Sequence, residues 1–220
     1  ATSLTGRHVL VTAGPTYEPI DPVRFIGNRS SGLQGYAIAR AARDAGARVT
    51  LVSGPVALAP PEGVQVVKVQ TARQMLAAVQ TALPADVFVG AAAVADWRVE
   101  TQGGQKLKKT QQGPPSLQLV ENPDILATVA KSGQSRPRLV VGFAAETEHV
   151  VEYARDKLVR KNCDMIVANA VGADGKVFGA LENEVRIITR ENVIAWPQMS
   201  KDEVARSLIR TICEHLDTFS

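Results

Sequence analysis

The chain has 220 residues, 45% hydrophobic and 21% charged, with a formal net charge of +3. That length suits one α/β domain with a substantial core, and no apolar run approaches the roughly 20 residues that span a bilayer. Charge this mild, with aromatics at 5%, excludes the concentrated basic and aromatic signature of a nucleic-acid binder; it is compatible with phosphorylated ligands. Cys163 and Cys213 have neither metal-ligand nor C-x-x-C spacing and read as buried thiols in a reducing, cytoplasmic compartment. No signal peptide is visible, and the start Ala1-Thr2-Ser3 lacks methionine, as a processed or excised fragment would.

Residues 8–13 read as a buried strand ending near Gly14. The turn that follows, 14–22, is too long for the tight crossover of a dinucleotide-binding unit. A polar loop, Gly27-Asn28-Arg29-Ser30-Ser31-Gly32-Leu33-Gln34-Gly35, then opens a helix that runs to Ala45. Unpaired N–H groups make such a helix start an anion site, and Ser30 and Ser31 are placed to cap it or donate to phosphate. Strands at 48–52, 64–69 and 86–89 and a helix at 71–83 follow. This rhythm predicts a Rossmann-like, mostly parallel sheet with helices on both faces. Over about 97–120 the pattern breaks into an excursion, read as a hairpin carrying Lys106-Leu107-Lys108-Lys109 between glycine-rich turns. The rhythm then resumes. Asn122-Pro123-Asp124 starts a helix with proline in its first turn, followed by a strand at 138–143, a helix at 148–161 and a strand at 165–168. A terminal hairpin at 185–189 and 193–196 leads to a last helix with a Ser200–Glu203 capping box. The whole reads as one domain, 1–220.

Each candidate site has a bland alternative. The loop Asn28–Gly35 is a ligand grip or only a well-capped helix start. The run Gly90-Ala91-Ala92-Ala93-Val94-Ala95-Asp96 follows a strand at its carboxyl end, where ligands of open α/β sheets bind. Its alanines offer a bare main-chain wall to a base, or merely allow close packing. Asp96 is harder to assign to packing, because a buried carboxylate requires a partner or a cation. In strand geometry Lys106 and Lys108 share a face, awaiting a polyphosphate or protecting an edge. Lys157 and Lys161, at i and i+4 on a helix, bind anions or are solvated. Tyr153 and Lys157 fit the Tyr-x-x-x-Lys pair of short-chain dehydrogenases, the main competing reading. Against it stand the long turn after the first strand and Ser53-Gly54-Pro55, which offers no residue to read an adenosine ribose. His8, His149 and His215 are widely spaced and form no zinc motif.

Four segments in order carry a resemblance. They are Gly14-Pro15-Thr16 with Asp21-Pro22-Val23-Arg24-Phe25-Ile26-Gly27-Asn28-Arg29-Ser30-Ser31-Gly32, then Ala91 to Asp96, Lys106 to Lys109, and Val141-Gly142-Phe143-Ala144-Ala145-Glu146-Thr147. Together they closely resemble bacterial phosphopantothenate–cysteine ligases, over essentially the whole chain. The resemblance implies that CTP activates the carboxylate of 4′-phosphopantothenate as an acyl-cytidylate, with Mg²⁺ accompanying the triphosphate, before L-cysteine displaces CMP. It implies catalytic roles for Lys106, in forming the acyl-cytidylate, and for Asn28, in converting it. It assigns nucleotide contacts to Gly90, Ala91, Ala92, Asp96, Lys106, Pro123, Asp124, Ile125, Leu126, Phe143, Lys157 and Lys161. Asn28, Arg29, Ser30, Ser31, Gly32 and Ala93 fall to phosphopantothenate, and Asp96 to the metal. It also implies a homodimer, with the excursion contributing to the interface, and fusion to a flavin-dependent decarboxylase. Leu33 departs from the lysine common there, with Arg29 or a partner subunit left to compensate. Side chains alone leave CTP and ATP both open.

Overall fold

The computed structural model describes residues 3–111, 113–170 and 185–218. From the start of the chain its elements are β1 (His8–Ala13), β2 (Tyr17–Pro19), β3 (Phe25–Gly27), α1 (Leu33–Asp44), β4 (Arg48–Ser53), β5 (Gln65–Lys68), α2 (Ala72–Ala82) and β6 (Val87–Gly90). The second half adds β7 (Trp97–Val99), β8 (Leu119–Glu121), α3 (Ile125–Ala130), β9 (Leu139–Glu146), α4 (Val150–Arg160), β10 (Met165–Ala170), β11 (Val185–Ile188), β12 (Val193–Trp196) and α5 (Lys201–Thr218).

The main sheet runs β12-β11-β10-β9-β6-β1-β4-β5. Its six strands from β10 to β5 pair in parallel, while β11 and β12 add the expected antiparallel hairpin. Strand order reverses between β1 and β6, so a crevice opens at their carboxyl ends. Period-two alternation sorts β1 between two cores. Val9 and Val11 join α1 and α5 through Ile38, Leu208 and Ile212. Leu10 joins the opposite layer with Met75, Phe88 and Leu158. Both faces are therefore covered, as unbroken apolar strands require.

α1 lies unusually close to β1. A Cβ added to Gly35 would sit 2.4 Å from Ala13 Cβ, so no larger residue fits there without moving the helix. This contact fixes the start of α1 beside the end of β1.

Four local expectations are corrected. The turn after β1 contains its own hairpin, β2–β3. The excursion is the expected hairpin, but among the described residues its strand ladder is confined to the base, Trp97–Val99 with Leu119–Glu121, with an isolated bridge at Thr110–Gly113. Lys106 to Lys109 therefore lie in the irregular segment between the arms rather than on a strand, because no neighbouring strand completes a ladder for them. Pro123 precedes the N-cap Asp124 and stands outside α3. Finally, α1 is capped by Gly32 in the left-handed region, with no side-chain cap. Ser30 and Ser31 instead accept from the Gly32 and Leu33 N–H groups, both at 3.3 Å. Thr71 does cap α2 with a full capping box, and Ser200 accepts from the Glu203 N–H at 3.1 Å.

Candidate active site

A cleft of about 470 Å³ opens at the carboxyl ends of β1, β6 and β9. Thr12, Gly90 and Phe143 come from the strand ends, Asp96 from the loop after β6, and Asp124 and Lys161 from the two helices beside it. Its floor explains two glycines. Gly90 of β6 pairs with Gly142 of β9, and Leu126 rests on both. A Cβ on Gly142 would lie 2.6 Å from Leu126 Cδ2, and one on Gly90 would lie 3.4 Å from Cδ1. The missing side chains thus seat the turn 122–126 onto the sheet.

That turn meets the carboxyl end of α4. Asp124 caps α3 by accepting from Ala127 N–H at 3.0 Å, and its second oxygen accepts from Lys161 Nζ at 2.7 Å. Burial opposes ionisation of Asp124, but Lys161 and the Ala127 N–H outweigh it and hold the carboxyl below its usual range. Lys157, one turn before Lys161, is half-buried and donates to the Phe143 carbonyl at 2.5 Å. Burial, reinforced by the Lys161 charge, lowers its pKa. Two ammonium groups this close at the wall of a cleft, only partly balanced by Asp124, favour an added anion, which would relieve both effects.

The alanine wall is less open than its sequence implies. Ala91 and Ala93 donate to the carbonyls of Thr12 and Gly14, and Ala92 and Ala95 to the hydroxyls of Thr12 and Thr16. Those donors are taken by the strand-one loop and are unavailable to a base. Asp96 lines the cleft but is exposed rather than buried, so solvent can satisfy its carboxylate without a partner or cation. Asn28 reaches the same loop from the other side, donating to the Val94 carbonyl at 3.2 Å.

The family model described as the DNA/pantothenate metabolism flavoprotein C-terminal domain matches residues 4–216. The chain belongs to this family. It is 46% identical over 215 residues to the coenzyme A biosynthesis bifunctional protein CoaBC of Vibrio cholerae, covering 97% of this chain and 54% of that protein. The CoaBC of Escherichia coli strain K12 is 45% identical over 213 residues, covering 96% and 52%. The chain thus spans about half the length of these curated relatives. The crystal structure of the C-terminal domain of CoaBC is 41% identical, with a TM-score of 0.82, and covers 99% of this chain and 100% of that one. A flavoprotein of the same description from Streptococcus pneumoniae, 22% identical with a TM-score of 0.77, shares the fold.

In this chain, the cleft brings together Gly90, Ala92, Asp96, Pro123, Asp124, Ile125, Leu126, Phe143, Lys157 and Lys161. Lys106 is not in its lining: the ammonium lies on the exposed loop, and no described residue pairs with it. Arg29, Ser30, Ser31 and Gly32 sit at the start of α1, where Ser30 and Ser31 border a separate groove with Pro55 to Leu58. Ala91 and Ala93 run beside β1 rather than into the cleft. Sequence reasoning passed over Thr12, Asn122 and Arg160. Asn122 bridges the hairpin base to the cleft: its Nδ2 donates to the Ala95 carbonyl at 2.8 Å and its Oδ1 accepts from Arg98 at 3.3 Å. The one available signal was its place beside Pro123-Asp124.

The cleft is furnished with hard oxygen donors. Asp96 and Glu121 both line it, although no cluster of three metal-ligating side chains occurs among the described residues. That donor set fits Mg²⁺, which typically uses one or two carboxylates and completes its shell with substrate phosphates and water.

Proposed function

We propose that this chain is the CTP-dependent ligase that joins 4′-phosphopantothenate to L-cysteine. The observation that carries the reading is the switch-point cleft, which faces the Lys157–Lys161 pair and the Asp124 turn and lies in a chain of this family. In the first step a carboxylate oxygen of phosphopantothenate attacks the α-phosphorus of CTP. The bond to the β-phosphate breaks, pyrophosphate leaves with its electron pair, and an acyl-cytidylate remains. In the second the cysteine amine attacks the acyl carbon, CMP departs and the amine proton is released.

Little covalent chemistry falls to the protein; positioning and charge do the work. Lys157 and Lys161 meet the polyphosphate, Leu126 and Phe143 flank the nucleoside, and Lys106 neutralises charge developing at the α-phosphate. Asn28, tied to the Val94 carbonyl at the far side of the loop, orients the acyl group, with Arg29 to Gly32 and Ala93 towards phosphopantothenate. Mg²⁺, held by Asp96, would screen the leaving phosphates.

The relatives are named bifunctional, and the ligase half is the part assigned here, with the flavin-dependent decarboxylase in the other. β2–β3 and β7–β8 lie side by side and expose Val23, Phe25, Trp97 and Leu119, which supports a homodimer joined through this layer. Two buried, unpaired thiols agree with a cytoplasmic location, and no helix among the described residues is long and apolar enough to cross a membrane.

The test is incubation with CTP, phosphopantothenate, cysteine and Mg²⁺. Pyrophosphate, CMP and phosphopantothenoylcysteine should appear together. A folded sample that releases no pyrophosphate from the complete mixture excludes the reading. CTP, rather than ATP or NADPH, should raise the melting temperature.

A further inference from the structure

Asp21 is almost fully buried, 2% exposed, although it stands in a surface turn. Its first oxygen does what an aspartate in a turn ordinarily does. Oδ1 accepts from the N–H groups of Val23 at 2.8 Å and Arg24 at 2.7 Å. Its second oxygen reaches residues far along the chain. Oδ2 accepts from the Leu107 N–H at 2.9 Å, 86 positions away, and from Arg24 Nη1 at 3.3 Å. Arg24 Nη2 in turn donates to the Leu107 carbonyl at 3.1 Å. Both backbone groups of Leu107 are therefore bound by one acid–base pair. A second tether lies just before it, where the Gly103 N–H donates to the Ile20 carbonyl at 2.9 Å.

Lys106 stands between these two attachments. We propose that Asp21 is a positioning residue for Lys106, its buried carboxylate latching the lysine-bearing loop through the Leu107 N–H. The inference rests on the ligase reading, in which Lys106 forms the acyl-cytidylate. The latch uses a carboxylate for a physical reason. An ionised carboxylate only accepts, and both oxygens of Asp21 are occupied by donors. Those bonds leave their mark on the group itself: the Leu107 N–H, against the opposing effect of burial and aided by the Val23 and Arg24 N–H groups, holds the Asp21 carboxyl below its usual range. A loop of this length without regular structure has no other described partner at Leu107 to fix the adjacent lysine.

Asp21→Asn separates the two duties. The amide oxygen keeps the turn, while the NH₂ group faces the Leu107 N–H, donor against donor. In single turnover with CTP, phosphopantothenate and Mg²⁺, the variant should form acyl-cytidylate about 100-fold more slowly, the scale of a catalytic group displaced by about an ångström. CTP affinity should not change, nor should amide formation when synthetic acyl-cytidylate is supplied with cysteine. Trypsin should cleave faster after Lys106, Lys108 and Lys109. Arg24→Met, at a half-exposed site, loses only the guanidinium contacts; it should show the same pattern at about a tenfold loss, the scale of one hydrogen bond to a charged group. A wild-type first step in both variants overturns the latch. So does an equal loss in both half-reactions with a lowered melting temperature, which marks a purely structural role. A wild-type chain that releases no pyrophosphate removes the ligase reading itself, and the latch falls with it whatever the trypsin result.

Discussion

The Lys157–Lys161 wall of the cleft and the Lys106 loop outside its lining rest on different supports. The Asp124–Lys161 side stands on parallel strands buried on both faces and on helix ends joined by a 2.7 Å ion pair. The Lys106 side stands on an irregular loop fixed to the β2–β3 turn by a few hydrogen bonds around Asp21. A region of the first kind binds a ligand that must always be held in one place. A region of the second kind can yield as substrates enter, because local opening is easiest where few apolar contacts are buried. On the proposed ligase reading the difference separates binding from chemistry, and substitutions in each region should fail differently.

The largest effect is expected from Lys106→Gln. Removing one preorganised charge from a developing transition state lowers the rate about 10²–10³-fold, so acyl-cytidylate formation should fall by at least that much. Lys106 is exposed, and surface changes of this kind alter stability by no more than about 0.5 kcal/mol. Rapid-quench measurement of pyrophosphate, beside thermal unfolding, tests both halves. Full activity in the variant would remove Lys106 from the mechanism.

Gly142→Ala should invert that pattern. The new methyl would meet Leu126 Cδ2 at 2.6 Å and Ile166 Cδ1 at 2.9 Å. Overpacking a core costs about 1–3 kcal/mol, and here it also lifts Leu126 from its seat. Melting temperature should fall and KM for CTP rise, with less change in kcat. Gly104→Ala is the matched control in the Lys106 loop: an added Cβ there meets nothing within 4 Å, and neither quantity should move. Equal effects from the two would erase the distinction between the regions.

The sheet was legible in the sequence because its central strands are short apolar runs buried on both faces, a signal local to each. The alternation of Lys106 and Lys108 misled for the converse reason. Period two makes a strand only where a neighbour completes the ladder, and the backbone partner of Leu107 is a side chain 86 residues earlier. Asp21 and Glu18 resemble solvated turn acids, yet both are buried. Glu18 accepts from the Ala72 N–H at 3.1 Å and so supports the start of α2, a contact no local pattern announces. Gly142 looks like a flaw in a strand until Leu126 is seen resting on it. Asp124, Lys157 and Lys161 converge in one cleft, but their meeting is tertiary. Spacing alone placed the two lysines on one face and said nothing of the carboxylate opposite.

Asp124→Asn should produce a smaller, pH-dependent change. The folded-state pKa of Asp124 is depressed, so its contribution to stability is fully present above the unfolded value of about 3.9. It is lost as pH falls through that value towards the folded one. The asparagine variant retains an N-cap acceptor but has no such titration. Its stability difference from wild type, measured by denaturant unfolding, should be greatest near neutrality and shrink as pH drops below about 4. A difference that stays constant across that range would mean that the Lys161 pair contributes nothing through ionisation.

The smallest effect belongs to Leu33→Lys, at the first residue of α1. Leu33 is 44% exposed, so losing it uncovers little core. A cation in the first turn of a helix opposes the macrodipole by about 0.3–1 kcal/mol, while a phosphate bound at the same N-terminus would attract it by a similar amount. Without ligand, the variant should therefore be slightly less stable than wild type. With phosphopantothenate the deficit should close, and KM for that substrate should fall a few-fold while KM for CTP is unchanged. A lower KM for CTP instead would move the polyphosphate from the Lys157–Lys161 wall to the start of α1, and the proposed places of the two substrates would have to be exchanged.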